Sequence, residues 1–414
     1  MKTRKKRSEH PIMQAAASGL LLVGLAANVH AGAIADLTGY DANETSLLKN
    51  NGVTVGGWAN AGITYNAAGS DNGFNGPVTF GDRHSEVQLN QLNLFIQRAV
   101  ATEGSGWDFG GRFDVMFGSD SFYTQSYGAQ AGHWDLNLLG HGNDKSRFYD
   151  LALPQAYAEI YAPIGNGLNI KVGHFYTPIG YETVPAPDNF FYTHAYTMQF
   201  GEPFTHTGVL LNYTVDANWA ITGGALTGSQ TGGWDGSFDK QLGNWGGLLG
   251  ATWTSNSKAT SFNLAGTFSE TSETNSAAWA MYSAVFKHNI TDKTHLVLQH
   301  DHGFANRAAA DGSDAEWYGV NTHLVYDLTD TLSAGVRGEW FRDQKGVRVF
   351  SPARTAGGLV GSSYYAVTTG LNWKPKTWLS VRPNIRYDVA DGSRPFGNAK
   401  QDQFLFSTDF SVTF

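Results

Sequence analysis

The sequence predicts an all-β chain, a transmembrane antiparallel β-barrel of about sixteen strands with short turns at one rim and long loops at the other. Three observations carry that expectation: aromatic alternation at the carboxyl end, connections that alternate in length, and no helix-length apolar run beyond the amino terminus. Phe404, Phe406, Phe410, Val412 and Phe414 recur at every second position, with Thr408 between them, while Leu405, Ser407, Asp409, Ser411 and Thr413 hold the opposite phase. Successive side chains point to opposite faces of a strand, so one face is apolar and aromatic and the other mostly small and polar. That is the pattern of a strand between lipid and an aqueous lumen, and it makes Phe410, Val412 and Phe414 a candidate assembly signal.

The chain opens with a candidate signal peptide, residues 1–31: Lys2, Arg4, Lys5, Lys6 and Arg7, an apolar run over 19–27, and the small-x-small site Val29-His30-Ala31. Its removal takes five of 28 bases and one of 36 acids, leaving 23 against 35 and a net charge of −12, which excludes nucleic acid as a partner. Fifty glycines with 13% aromatics suit turn-rich β structure. A mean hydropathy of −0.29 argues against membrane helices but suits strands apolar on one face only. With no cysteine, the fold takes nothing from disulfides. Residues 32–52, with the helix-prone Glu44-Thr45-Ser46-Leu47-Leu48-Lys49, form a periplasmic lead-in, and 53–414 form the barrel.

The first strand, 53–65, sets Val53, Val55, Ala59, Ala61, Ile63 and Tyr65 on one face against Thr54, Asn60 and Thr64. Leu92, Leu94 and Ile96 mark the second, and its apolar phase changes near Gln91, where a bulge is expected. Phe109, Gly111, Phe113, Val115 and Phe117 mark the third, which turns Arg112 and Asp114 inward. The same rule places strands near 149–162, 168–176, 206–215, 219–228, 244–253, 259–268, 278–288, 294–303, 316–326, 331–342, 363–373, 378–388 and 404–414. Turns at 163–167, 216–218, 254–258, 289–293, 327–330 and 374–377 are short, and the loops between them are longer and rich in Gly and Asp. Short turns belong to the periplasmic rim. Trp107, Trp219, Trp253, Trp373 and Trp378 fall near that rim and Trp245, Trp317 and Trp340 near the other, as two interfacial girdles.

Leu153-Pro154-Gln155-Ala156-Tyr157-Ala158-Glu159, then Lys171-Val172-Gly173-His174-Phe175-Tyr176-Thr177-Pro178-Ile179-Gly180-Tyr181-Glu182, resembles the OmpL-like putative β-barrel porin family. So do Pro187-Asp188-Asn189-Phe190-Phe191-Tyr192-Thr193-His194-Ala195-Tyr196 and Glu202-Pro203-Phe204-Thr205-His206-Thr207-Gly208. Thr193 stands where that family usually has serine before the histidine. These motifs cover the middle third, and the likeness extends more loosely over most of the mature chain. The resemblance implies an outer-membrane channel and leaves its solute open.

Strand phase nominates pore-lining residues Arg112, Asp114, Glu159, Lys171, Arg337, Glu339, Arg382, Arg386 and Asp388. If Ala162 pairs with Leu168 across the 163–167 turn, Glu159 lies opposite Lys171. The aromatic, Pro-rich stretch 177–205 carries Glu182, Asp188, His194 and Glu202 and is too apolar to sit free in water. The resemblance and comparison with other porins imply a constriction inside the lumen, and the alternative is a lid packed over the outer mouth. His300 and His302 share a face with Leu296 and Leu298, which suits a headgroup-level rim better than a metal site. Asp311, Asp314 and Glu316 match no calcium-loop spacing. No Gly-x-Ser-x-Gly, His-Glu-x-x-His or phosphate-loop motif occurs, and no cofactor or metal is expected.

The function expected is passive diffusion of ions or small hydrophilic solutes through the outer membrane. The partners expected are outer-membrane lipid, lipopolysaccharide and the barrel-assembly machinery, with a homo-oligomer allowed. The alternatives are a secreted carbohydrate-binding β-protein and an outer-membrane barrel hydrolase. Deleting Phe414 should lower barrel insertion at native expression, read as loss of the heat-modifiable gel band from outer-membrane fractions; normal surface levels would reject the assembly signal.

Overall fold

The computed structural model describes residues 32–102, 106–125, 134–135, 138–139, 148–227, 245–271, 277–349 and 360–414, so the expected signal segment lies outside the described residues. Sixteen antiparallel strands close into one barrel. They are β1 (Val53–Asn66), β2 (Val87–Arg98), β3 (Asp108–Gly118), β4 (Asp150–Ala152 and Ala156–Ala162), β5 (Leu168–Tyr176), β6 (Thr205–Thr214), β7 (Trp219–Thr227) and β8 (Trp245–Thr254). There follow β9 (Thr260–Thr271), β10 (Ala277–Asn289), β11 (Thr294–Ala305), β12 (Ala315–Asp327), β13 (Leu332–Asp343), β14 (Ser362–Lys376), β15 (Leu379–Val381 and Asn384–Ala390) and β16 (Asp402–Thr413). Each strand pairs with its sequence neighbours, and β1 pairs with β16.

The closing seam runs from Trp58 opposite Thr413 to Asn66 opposite Leu405. Phe414 extends it by exchanging backbone hydrogen bonds with Gly57, at 2.8 and 2.9 Å. Gly57 has to be glycine, because a Cβ there would stand 2.1 Å from the carbonyl oxygen of Asn93. The register of β1 on β2 shifts where Asn60 faces Gln91 and Ala61 faces Leu89, leaving Asn90 as the extra residue of the expected bulge. Pro154 and Pro383 lie in the breaks of β4 and β15, since proline has no amide hydrogen to give a ladder.

Leu94, Phe109, Leu249, Val367 and Phe406 belong to an exposed apolar band, while Asn60, Asp114, Gln299, Arg337 and Asp409 on the opposite phase are buried inside. Trp107, Trp219 and Trp373 are exposed near the short-turn rim and Trp245 near the other. Trp317 departs from the expected girdle. It shares the inward phase of β12 with Asn321 and His323, is fully buried, and donates from Nε1 to the carbonyl oxygen of Gly201 at 3.2 Å. Residue spacing along the strand, not interfacial preference, decides its side.

His300 and His302 stand on the outer face beside exposed Leu298 and Phe304, and His302 Nε2 meets Glu316 Oε1 at 2.8 Å. Asp311 takes hydrogen bonds from Ser313 and pairs with Lys345 at 3.3 Å, and Asp314 takes a hydrogen bond from the backbone of Arg307, so both acids are engaged by protein groups. The lead-in contains α1 (Ala33–Thr38) and α2 (Ser46–Lys49). It is tied to the short-turn rim by Trp378 and Lys376 donating to Asp36 and by Asn43, which exchanges two hydrogen bonds with the backbone of Val55.

Val336 sits on the lipid-facing phase between inward Gly335 and Arg337 and opposite Leu324. Val336→Arg should destabilise the folded barrel by about 2–4 kcal/mol near the midplane. Urea unfolding in lipid vesicles checks this: the midpoint should drop, whereas Ser333→Arg on the lumen side should change it less.

Candidate permeation site

The connection from β5 to β6, residues 177–204, lies inside the barrel against the wall formed by β1, β2 and β11–β15. An irregular segment away from water must find partners for its backbone groups, and the inward side chains of the wall supply them. Arg382 Nη1 donates to the carbonyl oxygens of Ala186 and Asn189 at 2.6 and 2.8 Å. Arg337 Nη1 donates to Thr193 O at 2.6 Å and Arg386 Nη1 to His194 O at 2.8 Å. Gln91 Nε2 reaches Val184 O at 2.8 Å, and Arg348 Nε reaches Phe200 O at 2.7 Å. In return, Glu339 accepts the amide of Tyr196 at 2.8 Å, and Asp388 accepts its hydroxyl at 3.0 Å.

The same arginines form a buried ion lattice. Arg337 contacts Glu182 of the loop at 2.6 Å and Glu339 at 2.8 Å. Arg386 contacts Glu339 at 3.0 Å and Asp388 at 2.8 Å, and Arg382 makes a two-pronged contact with Asp409. The three guanidinium side chains are buried almost completely. They point inward, as strand phase requires, but lie beneath the loop and anchor it. Burial pushes the Glu182 carboxyl up, but Arg337 and His194 outweigh it and hold the group well below the usual carboxylate range. At the loop's end, Glu202 accepts from Gln299 and is pushed well above its ordinary value by burial and by Asp301 beside it. His194 is buried against Phe80 and Glu182.

On the loop's other side is a cavity of about 340 Å³, bounded by the loop and the β2–β7 wall and reaching the short-turn rim at Thr102, Asn166 and Thr214. Arg112, Glu159 and Lys171 belong to this wall. Arg112 contacts Asp114 through Nε at 2.6 Å and Nη2 at 2.9 Å and lies over the ring of Phe95 at 4.2 Å. Glu159 faces Lys171 in register and accepts from Asn169 Nδ2 at 3.0 Å, while the Lys171 ammonium sits 4.6 Å from the centre of the Tyr157 ring. Asp188 is exposed on the loop's cavity side.

The pore-lining residues nominated from sequence thus fall into two sets separated by the loop: Arg112 and Lys171 at the cavity with Asp114 and Glu159 beside them, and Arg337, Glu339, Arg382, Arg386 and Asp388 in the anchor. Asp409, Gln91 and Arg348 complete the anchor and were not among the expected site residues. Asp409 was legible from its phase in β16, whereas Arg348 lies beyond the end of β13, where no periodicity applies.

The family described as "Putative beta-barrel porin-2, OmpL-like" matches residues 52–414. No curated protein sequence matches the chain. Among solved structures, the chain is similar to the outer membrane channel DcaP of Acinetobacter baumannii, at 13% identity and TM-score 0.54, covering 87% of this chain and 97% of that one. It is similar to an anion-selective porin from Comamonas acidovorans, at 10% identity and TM-score 0.57, covering 87% and 99%. The trimer form of OmpT, an outer membrane protein of Vibrio cholerae, matches at 8% identity and TM-score 0.53, again covering 87% and 99%. At these identities the likeness carries the barrel fold.

Arg337→Met leaves Glu182 and Glu339 buried without their shared cation and should cost about 3–5 kcal/mol. Because the Glu182 pKa is depressed in the fold, its contribution is present above the ordinary carboxylate value and lost as pH falls through the depressed one. Without Arg337, burial dominates and the loss moves to higher pH. Hydrogen exchange of the 177–204 amides should show protection persisting into acid for the parent and fading at higher pH for the variant.

Proposed function

The chain belongs to the OmpL-like β-barrel porin family and is a porin-like barrel, and from that premise we propose that it is a passive diffusion channel for ions or small hydrophilic solutes. The observation that supports this is the cavity between the 177–204 loop and the β2–β7 wall, which lies within a closed barrel and reaches one rim. The loop takes part of the lumen out of use and narrows what is left. A solute passing there meets Arg112, Lys171 and Asp188, with Glu159 in register beside Lys171, so selectivity follows from the sum of their fields and from the width beside the loop. Transport of this kind needs neither cofactor nor energy coupling, and no reaction is assigned to the chain.

In this reading, export removes residues 1–31, the barrel lies in the outer membrane, and the short-turn rim with the 32–52 lead-in faces the periplasm. Outer-membrane lipid and lipopolysaccharide cover the apolar band, the barrel-assembly machinery inserts it, and a homo-oligomer is the proposed assembly. A soluble carbohydrate-binding β-protein does not account for that band, which includes Leu249, Val367 and Phe406.

Planar-bilayer recording of the purified chain in a salt gradient tests the channel: ohmic current is expected, and an inserted but silent protein overturns it. Lys171→Glu sets two acids opposite each other across β4 and β5 and should move the reversal potential toward cation preference, while Glu159→Lys should move it toward anions. Unchanged selectivity in both variants would remove this pair from the conducting path.

A further inference from the structure

Lys171 is 7% exposed, and its ammonium makes no hydrogen bond or ion pair among the described residues. A buried charge without a partner is costly, so a lysine in this state calls for an anion or ordered water in the space it faces. That space is the cavity beside the loop, where a second donor is also unsatisfied: the hydroxyl of Tyr176 is buried without a partner among the described residues. Arg112 lies within electrostatic reach of both Lys171 and Tyr176, and its own charge is matched by Asp114.

Of the carboxylates near the cavity, Glu182, Glu202 and Glu159 are held by contacts within the protein. Glu182 is bound to Arg337, and Glu202 accepts from Gln299. Glu159 is held by Asn169 without contacting Lys171, and Asp188 lies in the field of Lys374, Arg112 and Arg382. The lining also includes the aromatic side chains Tyr157, Tyr161, Phe190 and Phe204, with Tyr157 against the Lys171 ammonium. A cavity of about 150 Å³ lined by apolar groups already holds benzene. The roughly 340 Å³ here accommodates a ring together with a charged substituent and water.

We propose that the cavity is a binding station for a small carboxylate with an aromatic or apolar body, whose charged end is taken by Lys171 and the Tyr176 hydroxyl while its ring lies along the tyrosine wall. The station names a solute class for the channel and depends on the channel reading only for its part in transport; occupancy itself does not require conduction. The donors fix orientation and favour anions, and the aromatic surface favours a ring over acetate.

Benzoate is the probe, titrated calorimetrically into the full-length folded barrel in detergent, with benzylammonium and acetate for comparison. Benzoate should bind at least tenfold more tightly than either. Lys171→Gln should weaken it about tenfold, Lys171→Arg should restore most of the affinity, and Tyr176→Phe should lose less than Lys171→Gln. Lys287→Gln removes a lumen-side lysine from outside the cavity lining and should leave binding unchanged. Equal or stronger binding of benzylammonium, no benzoate binding, or the same affinity in Lys171→Gln overturns the station. In a bilayer, benzoate added to a conducting pore should interrupt the current in a concentration-dependent way that Lys171→Gln relieves. A protein that conducts without binding benzoate refutes the station and keeps the channel, whereas one that binds but does not conduct refutes the channel and keeps the station.

Discussion

A peptide amide in hydrocarbon has no water to bond with, so each strand crossing a membrane must find a protein partner along both edges. For this chain the requirement is met only when β16 returns to β1, and the exchange between Gly57 and Phe414 continues the ladder to the last residue. Much else follows from that closure. The apolar phase of every strand is turned outward, and the polar phase is confined to a space of limited volume. The bulge at Asn90 and the breaks at Pro154 and Pro383 interrupt the ladder locally while the neighbouring strands keep the ring continuous.

The confined interior then poses its own problem, because charges facing inward are screened from bulk water once a loop enters. Arg337, Arg382 and Arg386 meet it by pairing with Glu182, Glu339, Asp388 and Asp409, and by directing Nη1 at loop carbonyls. A guanidinium suits this double duty, since its planar fork can bind a carboxylate and still reach a backbone oxygen. Aromatic packing reinforces it: Tyr196 stacks near Phe200 and Tyr364, and Phe80 of the first long loop packs on His194 and Phe204. The loop is therefore a fixed partition within the barrel.

By covering one wall, the partition leaves the opposite wall to line the cavity. Among the described residues, Lys171 is the cation at the cavity wall that no contacting carboxylate neutralises. The residues that look alike in a list of inward charges differ in role according to which side of the loop they stand on.

The sequence by itself determined the strand number, which face of each strand meets lipid, the bulge near Gln91 and the register of Glu159 on Lys171. All of these follow from period-two alternation and short turns, which act over a few neighbouring residues. It also led Trp317 to be expected at a girdle, because a bulky aromatic near a strand end suits an interface unless the phase along β12 is followed through Asn321 and His323. Only the tertiary structure decided whether the 177–204 stretch was a lid or a partition, and hence that Arg337 and Arg386 anchor a loop while Lys171 faces open space. Those contacts join residues more than a hundred positions apart, such as Arg337 and Glu182, and depend on which chain segment occupies a shared interior. Local alternation says that a side chain points inward, but what it meets there is set by how the closed barrel is filled.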